Sequence, residues 1–119
     1  MREALVVGGA SGIGLAIALQ LAERADYRIV HIVDRAQLPE DICHDKFRCH
    51  QFDLTSEDYA FFDRFGNIDT LMITAGFGHL ALSKDLTADY IVNIANVNAT
   101  AVMRLVSQFY DRIASSGAF

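Results

Sequence analysis

The sequence predicts an α/β domain in which a parallel sheet carries helices on both faces. Three observations lead there. The run Ala4-Leu5-Val6-Val7 is continuously apolar, as a strand covered on both faces requires. Strand-like and helix-like segments alternate along the chain, the βαβ pattern that right-handed crossovers turn into a parallel sheet. Four glycines, Gly8, Gly9, Gly12 and Gly14, stand between the first apolar run and an alanine-rich one. A chain of 119 residues is one domain, spanning residues 1–119, and 52% hydrophobic content is ample for a core.

Residues 3–8 form the first expected strand. A helix follows over 12–24, with Ile13, Ile17 and Leu21 at i, i+4 and i+8. Residues 27–33, "YRIVHIV", are a β-branched second strand. The polar stretch 34–45 holds the only proline, Pro39, and reads as a loop or a short irregular helix. Residues 47–52 make a third strand. Thr55 is placed to cap a helix running to about Phe65, with Glu57 and Asp58 suited to its first turn. Residues 68–74, "IDTLMIT", are a fourth strand, and Ala75-Gly76-Phe77-Gly78 is a turn. Thr87 can cap a long helix to about Ser115, whose seam is Ile91, Ala95, Asn98, Val102, Leu105 and Phe109. About four strands are therefore expected. The fourth would lie at an edge, where Leu71, Met72 and Ile73 form a template for self-association.

The net charge of −5 and the lack of a basic stripe argue against nucleic acid as a partner. No apolar run reaches the roughly 18 residues of a membrane span. Met1-Arg2-Glu3 leads straight into a strand, so no signal peptide is expected, and two cysteines suit a reducing, cytoplasmic setting. Cys43-His44 and Cys49-His50 are adjacent pairs, and neighbours in an extended segment point to opposite faces. No metal site is expected there, only one buried thiol and some surface imidazoles.

The glycines suggest a ligand. A strand that enters a helix through glycines brings bare backbone close to a phosphate, and the helix start offers unpaired N–H groups and a partial positive charge. Gly8 suits the tight turn, Gly12 a close approach to the ligand, and Gly14 close packing of helix on sheet. Ser11 could cap the helix or touch phosphate. A glycine-rich turn with no ligand is the bland alternative. Asp34, twenty positions after Gly14, ends the second strand, where a carboxylate can accept hydrogen bonds from ribose hydroxyls. Alone it would be a plain turn aspartate. Phe52-Asp53-Leu54 and the stretch from Thr74 to Gly78 end the third and fourth strands. All four sites thus fall at carboxyl ends of parallel strands, where open α/β sheets bind ligands.

Taken together these residues resemble the short-chain dehydrogenase/reductase family, and the resemblance covers nearly the whole chain. "GGASGIG" is similar to the family's T-G-x-x-x-G-I-G loop, with Val7 in place of the threonine. The resemblance implies a Rossmann-type doubly wound sheet and cofactor contacts at Gly8, Ser11, Gly12, Ile13 and Gly14. Asp34 matches the acidic position that favours NAD, and Arg35 beside it could pair with the extra phosphate of NADP. Asp53 and Leu54 match the pair that reads adenine. Ala75 and Gly76 match the end of N-N-A-G, with Ile73 and Thr74 replacing its asparagines and implying weaker bracing of the central strands. In "NVNAT", Asn98 matches the helix asparagine of the catalytic tetrad; on its own it could equally hold register in a helix contact.

The family's tyrosine acts as acid or base, a lysine four residues later lowers its pKa, and a serine polarises the substrate carbonyl. Here Tyr27, Tyr59, Tyr90 and Tyr110 are followed at that spacing by His31, Asp63, Ile94 and Ala114. Ser115-Ser116 looks like the serine pair but is expected before any fifth strand. The expectation is an amino-terminal fragment, truncated before the second half, of an NAD(P)-dependent oxidoreductase acting on an alcohol or carbonyl substrate. It would hold NAD, with NADP possible, be inactive alone, and self-associate into a homo-oligomer. The alternative is a non-catalytic nucleotide-binding or dimerisation module.

Overall fold

The computed structural model describes residues 1–56, 58–75 and 87–118. Glu57 and the turn residues Gly76, Phe77 and Gly78 lie outside them. The chain builds β1 (Arg2–Val7), α1 (Gly12–Glu23), β2 (Tyr27–Asp34), β3 (Phe47–Gln51), β4 (Ile68–Ile73), α2 (Ala88–Ala95), α3 (Ala101–Phe109) and β5 (Ile113–Ala118). All strand pairs are parallel and the order is β3-β2-β1-β4-β5. β1 is central: Val7 stands opposite Val33 of β2 on one side and Ile73 of β4 on the other.

The period of two sorts β1 and β2 between two cores. Ala4, Val6, Val30 and Ile32 face α1 and meet Ala18, Leu21 and Ala22, with Phe47 of β3 at the border. Leu5, Val7, Val33 and Leu71 face the other way and meet Phe62, Phe65, Ala101, Leu105 and Phe109. Helices on both faces make the sheet doubly wound, and the continuous apolar run of β1 is explained by its burial on both sides. Polar groups pair within this interior: the Tyr27 hydroxyl and Thr70 Oγ1 are 2.6 Å apart, and the Tyr59 hydroxyl donates to Leu54 O at 2.9 Å.

Four expectations need correction. First, the sheet has five strands. The long helix stops at Phe109, and a single 3₁₀ turn, Tyr110–Arg112, leads into β5. The stop is fixed by Arg112, whose Nη1 donates to the carbonyls of Phe62 (3.0 Å) and Phe65 (2.6 Å) while its guanidinium sits 3.9 Å over the Phe109 ring. β4 is therefore flanked by β1 and β5 rather than lying at an edge, and Ser115 and Ser116 fall within the fifth strand. Second, the helix is interrupted by a π-helical turn, Asn96–Thr100, and its seam divides there. Leu105 and Phe109 are fully buried, whereas Ile91, Ala95 and Asn98 are exposed. Thr87 does cap α2, its hydroxyl accepting the Tyr90 N–H at 3.1 Å.

Third, the described residues of 55–65 include no α-helix. Both the amide and the hydroxyl of Thr55 are engaged by Asp53 Oδ1, at 2.9 and 2.7 Å, so Thr55 closes a turn instead of capping a helix. Only a 3₁₀ helix, Tyr59–Arg64, follows, and it delivers aromatic rings to the core, with Phe61 stacked 4.5 Å from Phe52. Fourth, Cys43 and Cys49 are both exposed and free, so neither is a buried thiol. Residues 35–46 form an irregular crossover, as the proline and polar content predict.

Candidate functional site

The strand order reverses between β1 and β4, the place where open α/β sheets bind ligands. A cleft of about 620 Å³ opens there, at the carboxyl ends of β1 to β4. Gly8, Ser11, Gly12, Ile13, Gly14, Asp34, Arg35, Asp53, Leu54 and Ala75 all line it. Gly76 lies outside the described residues. Asn98, on the exposed π-helical turn, is not among the lining residues.

The glycine loop is shaped from both sides. Its first amide, Gly8 N–H, donates to Val33 O of β2 at 2.7 Å. On the β4 side, Thr74 N–H donates to Val7 O at 2.9 Å, and the Thr74 hydroxyl reaches Gly8 O at 3.2 Å. Gly8 turns the chain at φ +92°, and a Cβ there would lie 2.6 Å from Ala75 N. Both features exclude a side chain. Gly14 packs so closely that a Cβ would overlap Gly8 O and Thr74 Oγ1. Gly12 has φ +56° and open space beside it. Ser11 occupies the N-cap of α1 in extended conformation without a side-chain cap, so the first-turn amides of α1 have no partner inside the helix.

Carboxylates and one guanidinium set the charge at the other end of the cleft. Asp34 Oδ2 accepts the Ala10 N–H at 3.0 Å and its Oδ1 accepts the Ala36 N–H at 2.9 Å. Asp53 is held below the usual carboxylate range, first by the Thr55 hydroxyl, then by the Thr55 amide, with Arg35 nearby adding to the effect. Leu54 is buried and Ile13 is 76% exposed, so Ile13 offers an apolar surface at the helix start.

Ala36, Thr55 and Val33 also line the cleft and carried no ligand-binding assignment from the sequence. Thr55 had a legible signal, since an aspartate two residues before a threonine is a turn motif. Thr74, read as a weaker brace, bonds two carbonyls of the β1 exit, Val7 O at 3.3 Å and Gly8 O at 3.2 Å.

Chemically, the cleft joins a bare loop and a helix start, suited to phosphate, to a carboxylate, suited to hydroxyls, with an apolar slot beside them. Among the described residues no helix is long and apolar enough to cross a membrane. A family model described as short chain dehydrogenase matches residues 2–118. An uncharacterized oxidoreductase of Saccharomyces cerevisiae is 26% identical over 114 residues, covering 91% of this chain and 37% of the yeast protein. A short chain dehydrogenase family protein of Francisella tularensis superposes with a TM-score of 0.80 at 19% identity, over 95% of this chain and 47% of its own. A 4-hydroxyisoleucine dehydrogenase, solved with NADH and succinate, gives a TM-score of 0.76 at 20% identity, over 92% of this chain and 51% of its own. The chain thus spans about half the length of these solved relatives.

Proposed function

Because the chain belongs to the short-chain dehydrogenase family, we propose that it is the cofactor-binding half of an NAD(P)-dependent oxidoreductase acting on an alcohol or carbonyl substrate. The observation that carries this reading is the convergence of the glycine loop, Asp34 and the Asp53–Leu54 pair on one cleft at the strand-order switch. The residues present fit a nicotinamide dinucleotide. The cleft is within the usual size range of small-molecule sites, and its glycines leave backbone bare where a pyrophosphate needs close approach. When bound, the nicotinamide supplies or accepts a hydride.

The chain's own residues divide the work of binding. Gly8, Ser11, Gly12, Ile13 and Gly14, with the first amides of α1, hold the phosphates and the start of the nicotinamide half. Asp34 accepts the ribose hydroxyls, Asp53 and Leu54 hold adenine, Ala75 borders the cleft just after β4, and Gly76 is assigned with it by its match to the family motif. Arg35 stands ready to compensate the extra phosphate of NADP. Asn98 is the one tetrad position we assign, by its match to the family motif. The serine pair Ser115-Ser116 regains standing as a carbonyl-polarising candidate, since it now lies in a fifth strand. No Tyr-x-x-x-Lys occurs in the chain, so on this reading the chain does not turn over by itself. That absence equally favours a non-catalytic nucleotide-binding module. A cytoplasmic setting remains our expectation.

Calorimetric titration tests the reading. NAD should bind, and NADP should bind roughly tenfold more weakly, about 1.4 kcal/mol, because two anions would face each other at Asp34. The mixture of chain, NADH and a panel of ketones should show no steady loss of nicotinamide absorbance. Failure of both cofactors to bind, or steady consumption that vanishes with Gly14→Asp, would overturn it.

A further inference from the structure

Asp34 has a second task, and its geometry sets that task apart from recognition of a ribose. Its carboxylate oxygens are both engaged by backbone: Oδ2 by Ala10 N–H at 3.0 Å and Oδ1 by Ala36 N–H at 2.9 Å. Ala10 belongs to the glycine loop and is only 3% exposed. It precedes α1, so its amide has no place in the helical ladder. Gly8 is tied to Val33 and Thr74, but those ties stop at the loop's first residue. The next anchor along the loop is the bond from Ala10 to Asp34, across 24 residues.

Resting on the reading of the cleft as a dinucleotide site, we propose that Asp34 is also a positioning residue, a latch whose carboxylate fixes the glycine loop in its phosphate-holding shape. Each carboxylate oxygen has about two acceptor sites, so binding two amides leaves capacity for two hydroxyls. One side chain can therefore hold the loop and receive the ribose together. Asparagine has the same shape but one acceptor, and its NH₂ would face an N–H, donor against donor. Asp34→Asn thus breaks one of the two bonds. Asp34→Ala breaks both and leaves the Ala10 amide without an acceptor in a buried position. Removing the charge at Asp34 to admit NADP should then fail to improve NADP binding, because the phosphate loop loosens at the same time.

The test separates the latch from the ribose contact. Dideoxy-ADP lacks both free ribose hydroxyls, so a purely ribose-reading Asp34 would not affect it. Asp34→Asn is titrated with ADP and dideoxy-ADP, and amide exchange at Ala10 and Ala36 is followed by NMR without ligand. The latch predicts that Asp34→Asn weakens dideoxy-ADP about tenfold, equivalent to 1.4 kcal/mol, and speeds Ala10 or Ala36 exchange by at least a similar factor. Unchanged exchange at both amides, or unchanged dideoxy-ADP affinity, overturns it. If the unsubstituted chain binds neither nucleotide, the dinucleotide reading fails, and the exchange comparison alone decides the latch. Should the variant not fold, the unsubstituted chain decides: Ala10 and Ala36 amides protected at least about tenfold support the latch, and exchange at the free-chain rate overturns it.

Discussion

Gly14→Ala puts the close packing of α1 on the sheet to a quantitative test. A Cβ at this position would overlap Gly8 O and Thr74 Oγ1 and lie 2.8 Å from the Gly8 carbonyl carbon. Two of those three atoms are backbone, in a turn pinned by the Gly8–Val33 bond, so the helix has to retreat. Overpacking of this kind costs about 1–3 kcal/mol, and a pinned neighbour favours the upper end. Alanine's better helix propensity offsets about 1 kcal/mol. The net loss is about 2 kcal/mol, which at this chain length lowers the melting temperature by about 8 °C, at about 4 °C per kcal/mol. Thermal unfolding followed by circular dichroism reads it directly. Thr74→Ala loses the hydroxyl's bonds and destabilises by itself, by about 1 kcal/mol. It also removes one of the colliding atoms, so the double variant should be more stable than the sum of the single losses predicts. A Gly14→Ala melting temperature within about 2 °C of the parent, with strictly additive losses, would refute the packing argument.

Two further outcomes concern pH and assembly. His50 packs edge-on against Phe65 (5.2 Å) with the His31 ring 6.1 Å away, and burial, then Arg64, then His31, hold its imidazole below the ordinary value of 6.5. The unfolded chain therefore protonates first; stability is full above that value, falls as pH drops below it, and levels off once the folded-state group is charged. Urea titrations at about pH 7.5 and 5.5 should show the loss, and His50→Phe should flatten it; equal slopes for both proteins would remove His50 from the account. We also expect self-association through α2 and α3, where Ile91, Val92 and Met103 are 52%, 54% and 66% exposed. Light scattering should give a dimer that Ile91→Glu dissociates, and a monomer mass at every concentration would end that expectation.

What the sequence revealed follows from how each element is stabilised. β1, β2 and β4 carry continuous or β-branched apolar runs because they are buried, and burial is written in composition, whereas β3, "FRCHQ", buries only Phe47. β5, "IASSGA", has one bulky apolar residue and draws its place from pairing with β4 and from the Arg112 anchor, neither of which leaves a local pattern. The expected helix ran on to about Ser115, past its true end at Phe109, because no glycine or proline marks the stop. The π-helical turn has no periodicity to detect. In the cleft, the loop glycines and Asp34 were legible from position. The double amide engagement of Asp34 was not, since it depends on where Ala10 and Ala36 come to rest after folding.

The contact between Thr74 and Gly8 has a consequence for how the chain comes into being. Residues 8–14 are made well before Thr74, yet their turn is completed by groups 66 positions further on. β1 likewise emerges before its neighbours and cannot be enclosed until β2 and β4 lie on either side of it. A nascent chain that has not yet reached Thr74 therefore carries the whole glycine motif without the groups that complete its turn. Parallel pairing over such separations is slow and leaves edges open to other chains. The glycine segment is, during synthesis, the one most in need of shelter.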